Sequence, residues 1–132
     1  MIFLDTGAFL ARYLVRDANH AGAVKIWKTL DRAPLFTSNH VLDETITLLG
    51  RRAGYTFAAE RAERFYSSKA LQILYPGIEE EAEAIRWLRK FADQEVSFTD
   101  CVSFVLMKRH RIPTAFTFDR HFSRAGFRTL GA

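Results

Sequence analysis

Residues 2–7, Ile2-Phe3-Leu4-Asp5-Thr6-Gly7, set a three-residue apolar run directly against an acid and a turn. A run this short and apolar on both faces suits a strand in a parallel sheet covered by helices, where neither face meets water. The pattern recurs along the chain. Leu35-Phe36-Thr37 follows Pro34, and Leu71-Gln72-Ile73-Leu74-Tyr75 ends at Pro76-Gly77. Thr114-Ala115-Phe116-Thr117-Phe118 runs from Pro113 to Asp119, and Phe127-Arg128-Thr129-Leu130 forms the last run.

Between these runs, apolar residues return at helical spacing. Phe9, Leu10, Tyr13 and Leu14 mark one helix, and Ala23, Trp27 and Leu30 a second. Ser38 or Asn39 caps a helix through Val41, Leu42, Thr45, Leu48 and Leu49 that stops near Gly54. Phe57, Arg61, Ala62 and Phe65 mark another, and Ile78, Ala82, Ile85 and Leu88 one whose first turn, Glu79 to Glu81, suits the positive end of the helix dipole. Thr99 or Asp100 opens a helix through Val102, Val105 and Leu106. Alternation of this kind predicts a single α/β domain over residues 1–132: three α/β/α layers around a short, mostly parallel central sheet.

The 132 residues suffice for one core, since a domain of this size buries roughly 68–70% of its unfolded surface. With 48% hydrophobic and 26% charged residues, disorder and low-complexity classes are excluded. One cysteine, Cys101, forms no internal disulfide and no cysteine-rich zinc site. No apolar run approaches the roughly 20 residues that span a bilayer, and Asp5 is foreign to a secretory leader. A cytoplasmic protein with no membrane partner is the expectation. The net charge of +4 leans weakly toward a polyanionic partner.

The acids carry the chemistry. In open parallel sheets ligands bind outside the carboxyl ends of the strands. Asp5 follows the first run and Asp119 the fourth, so both face one rim. Asp100 begins a helix whose N-terminus a right-handed crossover brings to that rim. On a wheel of 3.6 residues per turn, Glu44 falls at the edge of the Val41–Thr45–Leu48 stripe, turned toward the body of the protein, while Asp43 points to solvent. Singly, such acids also serve as turn residues and helix caps. Together they form a site that must be neutralised by protons or a cation. With no histidine or cysteine at ligand-like spacing, an all-oxygen set suits Mg²⁺ or Mn²⁺ rather than zinc, and phosphoryl transfer is the chemistry such ions serve.

The chain resembles the PIN-domain ribonucleases, and within them the VapC-type toxins of toxin–antitoxin pairs. The resemblance rests on Ile2-Phe3-Leu4-Asp5-Thr6-Gly7, Leu42-Asp43-Glu44-Thr45, Ser97-Phe98-Thr99-Asp100, Thr117-Phe118-Asp119-Arg120-His121-Phe122 and Gly126-Phe127, in family order over essentially the whole chain. It implies a Mg²⁺- or Mn²⁺-dependent endoribonuclease in which Asp5 and Asp100 bind metal directly, and Glu44 and Asp119 directly or through water. Thr6 and Thr117 stand where the family carries supporting hydroxyls, although strand-end hydroxyls also simply bond backbone. The implied partners are an RNA substrate, a VapB-type antitoxin and a second copy of the chain in a homodimer. The alternative is a PIN-like module that binds RNA or protein without turnover. Loss of an acid would mark it, and all four are present. An aspartyl-phosphate phosphatase would need an Asp where Gly7 stands.

Basic residues occur in groups, and Arg120, next to Asp119, is the one best placed for RNA. Arg86, Arg89 and Lys90 are expected to pair with Glu79–Glu83 on their own helix or to be solvated. His20, His40, His110 and His121 read as surface or structural residues. Phe9, Tyr13, Phe57, Phe65 and Tyr66 exceed what one small core needs, and the resemblance assigns the surplus to interfaces.

Overall fold

A computed structural model describes every residue, Met1–Ala132. Its elements are β1 (Ile2–Leu4), α1 (Thr6–Tyr13), α2 (His20–Lys28), β2 (Leu35–Ser38), α3 (Asn39–Ala53), α4 (Tyr55–Ser67), β3 (Leu71–Leu74), α5 (Ile78–Lys90), a 3₁₀ turn (Ala92–Gln94), α6 (Phe98–Arg109), β4 (Thr114–Thr117), α7 (His121–Arg124) and β5 (Arg128–Gly131). The five strands form one sheet in the order β3-β2-β1-β4-β5, and all four pairings are parallel. The expected three-layer α/β/α architecture is therefore observed, with the sheet parallel throughout.

Aromatic packing defines the two outer layers. Phe9 of α1 meets Trp27 of α2 and Phe65 of α4, and Trp27 reaches Phe116 of β4. Phe104 of α6 contacts Trp87 of α5, Phe122 of α7 and Phe127. Helix α6 is buried continuously from Asp100 to Met107. A helix apolar all round is one enclosed by its neighbours, and this enclosure carries Asp100 into the interior. Most of the aromatic surplus is absorbed here: Phe9 and Phe65 are buried, Tyr13 and Phe57 pack edge to face, and only Tyr66 is exposed.

One expectation needs correction, one short helix is not legible in the sequence, and one open alternative is decided. Helix α6 begins at Phe98, not at Thr99 or Asp100, because Ser97 Oγ accepts the Asp100 backbone N–H at 3.1 Å. Ser-x-x-Asp is the cap spacing that carries this start in the sequence. Helix α7 is four residues long, too short to show a period. Of the two readings of the basic residues of α5, the solvated one holds: Arg86, Arg89 and Lys90 are exposed and form no ion pair with its acids. Glu83 instead bonds Arg109 of α6 at 3.0 Å, Glu80 accepts the Gly77 N–H, and Glu81 lies 3.5 Å from His40. Packing of α5 on α6 brings the basic end of α6 beside Glu83, while Lys90 lies over the Trp87 ring. No helix is long and apolar enough to cross a membrane.

Candidate metal centre

The strand order reverses between β1 and β4: the chain passes from β1 outward through β2 to β3, then returns to β4 and β5 on the other side. Such a switch point opens a crevice at the carboxyl ends of the two strands. Leu4 pairs with Phe116, so the residues after each strand end meet at that crevice. The Asp5 N–H donates to Phe116 O at 3.0 Å, and Thr37 Oγ1 donates to Leu4 O at 2.9 Å. The end of β1 is therefore tied to strands on both sides.

Asp5 and Asp100 are both buried, at 5% and 8% exposure. Thr117 Oγ1 donates to Asp5 Oδ2 at 2.8 Å and accepts the Asp119 backbone N–H at 2.9 Å. One hydroxyl thus links the two strand-end acids. No lysine, arginine or histidine makes an ion pair with Asp5 or Asp100. Burial pushes Asp5 up to about 6, against the Thr117 and Thr6 hydrogen bonds, and the charges of Asp119 and Glu44 push the same way. Burial, with the charges of Asp5 and Asp119, pushes Asp100 up to about 9.

Glu44 is half-buried on α3 and lines the same cleft, whereas Asp43 is exposed, as the wheel predicts. The cleft has a volume of about 690 Å³ and also takes in Thr6, Ser97, Asp119 and Arg120. Arg120 is exposed, and Arg124 stands near it with a bond to Gln94. The Thr6 hydroxyl is buried without a hydrogen-bond partner. Six of the seven residues singled out in the sequence, the four acids with Thr6 and Arg120, therefore line one cleft, and Thr117 supports it from behind.

His121 corrects the reading that no histidine accompanies the acids. Asp119 Oδ1 accepts the His121 backbone N–H at 2.8 Å, and that turn folds the ring back until Nδ1 lies 2.7 Å from the same oxygen. Its position two residues after Asp119 was the available signal. Glu95, Ser97 and Arg124 also line the cleft and were not singled out as site residues.

A buried, unpaired carboxylate group with a free hydroxyl beside it fits a hard divalent cation, which takes oxygen ligands and neutralises their charge. Burial favours the protonated form of Asp5 and Asp100 for the same reason. Asp5, Asp100, Asp119 and Glu44 are the residues that would hold the ion.

Comparison with known proteins identifies the fold and the family. The PIN domain model matches residues 2–128. The chain is 39% identical over 128 residues to the 23S rRNA-specific endonuclease VapC20 of Mycobacterium tuberculosis, covering 96% of this chain and 95% of that protein. It is 31% identical over 124 residues to a VapC ribonuclease of Archaeoglobus fulgidus, covering 91% and 78%. The crystal structure of Mycobacterium tuberculosis VapC20, described as a sarcin–ricin loop cleaving toxin, superposes with a TM-score of 0.88 at 38% identity over 96% of each chain. FitAcB of Neisseria gonorrhoeae shares the fold, with a TM-score of 0.72 at 20% identity over 98% of this chain and 96% of that one. With its fold and nearly its whole length matching, this chain belongs to the PIN-domain family.

Proposed function

We propose that the chain is a Mg²⁺- or Mn²⁺-dependent endoribonuclease of the VapC toxin type, acting on a structured loop of ribosomal RNA. The observation that carries this reading is the convergence of Asp5, Glu44, Asp100 and Asp119 on one cleft with no basic side chain neutralising the buried pair. The ribosomal substrate is taken from the relatives named for 23S rRNA and for the sarcin–ricin loop.

When bound, the ion lowers the pKa of a water and stabilises negative charge on the phosphate oxygens. Asp5 and Asp100 would hold the ion, and Glu44 and Asp119 would support it directly or through water. Thr117 keeps the Asp5 carboxylate oriented by its 2.8 Å bond. Thr6 offers its free hydroxyl to the scissile phosphate or to a water beside it. Arg120, on the rim, meets flanking phosphates of the RNA. The reaction is hydrolysis, leaving a 5′-phosphate and a 3′-hydroxyl.

The same reading supplies a cytoplasmic setting, a homodimer and a VapB-type antitoxin that turns a basic side chain toward the four acids. Loss of antitoxin affinity in Glu44→Ala supports that contact, and unchanged affinity rejects it. The activity is tested with purified protein and an RNA containing the sarcin–ricin loop, in Mg²⁺, in Mn²⁺ and in EDTA, beside Asp5→Asn. Metal-dependent cleavage that vanishes in the variant is the expected result. Binding without cleavage in either metal rejects the nuclease reading for that RNA and favours a binding module.

A further inference from the structure

We infer that His121 is a nitrogen ligand to the ion of this centre, making it a mixed nitrogen–oxygen site that prefers a first-row transition ion, Mn²⁺, over Mg²⁺. The inference rests on the metal-nuclease reading above and adds to it a residue and a selectivity that the four acids do not contain. Asp100, Asp119 and His121 each offer one ligand atom, and the three atoms lie within 4.8 Å of one another. A divalent ion holding ligands at about 2.1 Å keeps them within about 4.2 Å of each other. Closing this group on an ion therefore needs only small side-chain movements.

The ring does not behave as a plain partner of Asp119. Its Nδ1 is buried and has no hydrogen-bond partner, although it lies 2.7 Å from Asp119 Oδ1. The approach brings the two atoms together outside hydrogen-bonding angles. That oxygen already accepts the His121 backbone N–H, which fixes the turn and holds both groups at one point. A buried polar atom left unmatched calls for an explanation, and a divalent cation is a partner that would supply the match. The Thr6 hydroxyl lines the same cleft in the same condition, 94% buried by its 6% exposure and without a partner. Two unmatched polar groups from opposite ends of the chain thus border one acid-lined space.

The chemistry follows from ligand type. Mg²⁺ binds oxygen almost exclusively and keeps much of its water, whereas imidazole suits first-row transition ions. Among the acid-rich ligands here the imidazole changes little for Mg²⁺ and strengthens Mn²⁺.

The test uses the full chain without a histidine tag. Mn²⁺ binding is followed by loss of the free-ion electron paramagnetic resonance signal, and Mg²⁺ by competition. The electron spin echo of bound Mn²⁺ is then examined for ¹⁴N coupling. We expect ¹⁴N modulation in the wild type and its loss in His121→Asn. Mn²⁺ affinity in that variant falls about ten- to a hundredfold, and Mg²⁺ affinity falls much less. His121→Gln, with a longer side chain, must reproduce the loss, and circular dichroism checks that both variants fold. Bound Mn²⁺ without ¹⁴N coupling in the wild type overturns the inference while leaving the nuclease reading intact, provided Asp100→Asn abolishes binding. Equal weakening of Mn²⁺ and Mg²⁺ in His121→Asn also overturns it, reducing His121 to a residue that positions Asp119. Wild-type protein that binds neither ion overturns both readings.

Discussion

The Thr117 hydroxyl donates to Asp5 Oδ2 at 2.8 Å across 112 positions of sequence, and Thr117 Oγ1 itself accepts the backbone N–H of Asp119. A single side chain thus sets the orientation of one acid and the turn that presents another. Thr117→Val keeps the shape and removes both bonds. A hydrogen bond to a charged group contributes about 1.5–3 kcal/mol. Cleavage is therefore expected to slow about ten- to a hundredfold at saturating metal. Thr117→Ser restores most of the rate, and single-turnover kinetics on the RNA fragment separates the three proteins.

The pH dependence of stability has a definite sign. Asp5 and Asp100 are raised to about 6 and about 9 in the fold, above the ordinary 3.8. Between those limits the folded state binds more protons than the unfolded chain, so stability falls as pH rises. In EDTA the Tm is expected to decline from about pH 4 toward pH 9, through Asp5 and Asp100 together up to about pH 6 and through Asp100 alone above it. Asp100→Asn removes the upper part of the decline. Added Mg²⁺ or Mn²⁺ raises Tm more at pH 8 than at pH 5, because the ion competes with protons for the same oxygens. A flat Tm profile in EDTA contradicts this account.

Two adjacent acids on α3 separate site from surface. Glu44 lines the cleft and Asp43 is exposed. Glu44→Gln is expected to reduce cleavage about ten- to a hundredfold, the range for residues that tune a metal site. Asp43→Asn leaves the rate within about twofold, and its stability changes by no more than about 0.5 kcal/mol. Initial rates on one RNA decide between them.

The core prediction concerns Phe104, which is fully buried and ringed by Trp87, Phe122 and Phe127 at 5.0–5.9 Å. Phe104→Ala is expected to cost about 3–5 kcal/mol in transfer and cavity terms. That lowers Tm by about 10 °C or more in a domain of this size. Urea denaturation measures it directly, and a loss under about 1 kcal/mol would contradict the packing.

Arg120 and Arg124 border an acidic floor and are both exposed. Each is expected to neutralise one RNA phosphate, so Arg120→Ala or Arg124→Ala lowers the slope of log affinity against log salt by about one. Arg32 is equally exposed but precedes β2, at the amino ends of the strands, and Arg32→Ala leaves the slope unchanged.

The sequence by itself determined the five strands, the six longer helices and the candidate acids, because these are written in local pattern. Short apolar runs ending at Asp5 and before Asp119 are strands buried on two faces, and the α3 period separates Glu44 from Asp43 within one turn. What the tertiary structure decided is adjacency. Whether Asp5 and Asp119 meet depends on β1 pairing with β4, a contact between residues more than a hundred positions apart that no period encodes. The burial that raises Asp100 comes from the enclosure of α6 by α3, α5 and α7, not from its own sequence. Glu83 turned from its helix neighbours to Arg109 for the same reason, since the packing of two helices outweighs a weak i,i+4 pair. His121 entered the site through a four-residue helix and a backbone bond to Asp119, a geometry too short to leave a pattern and settled only when the chain folds back on itself.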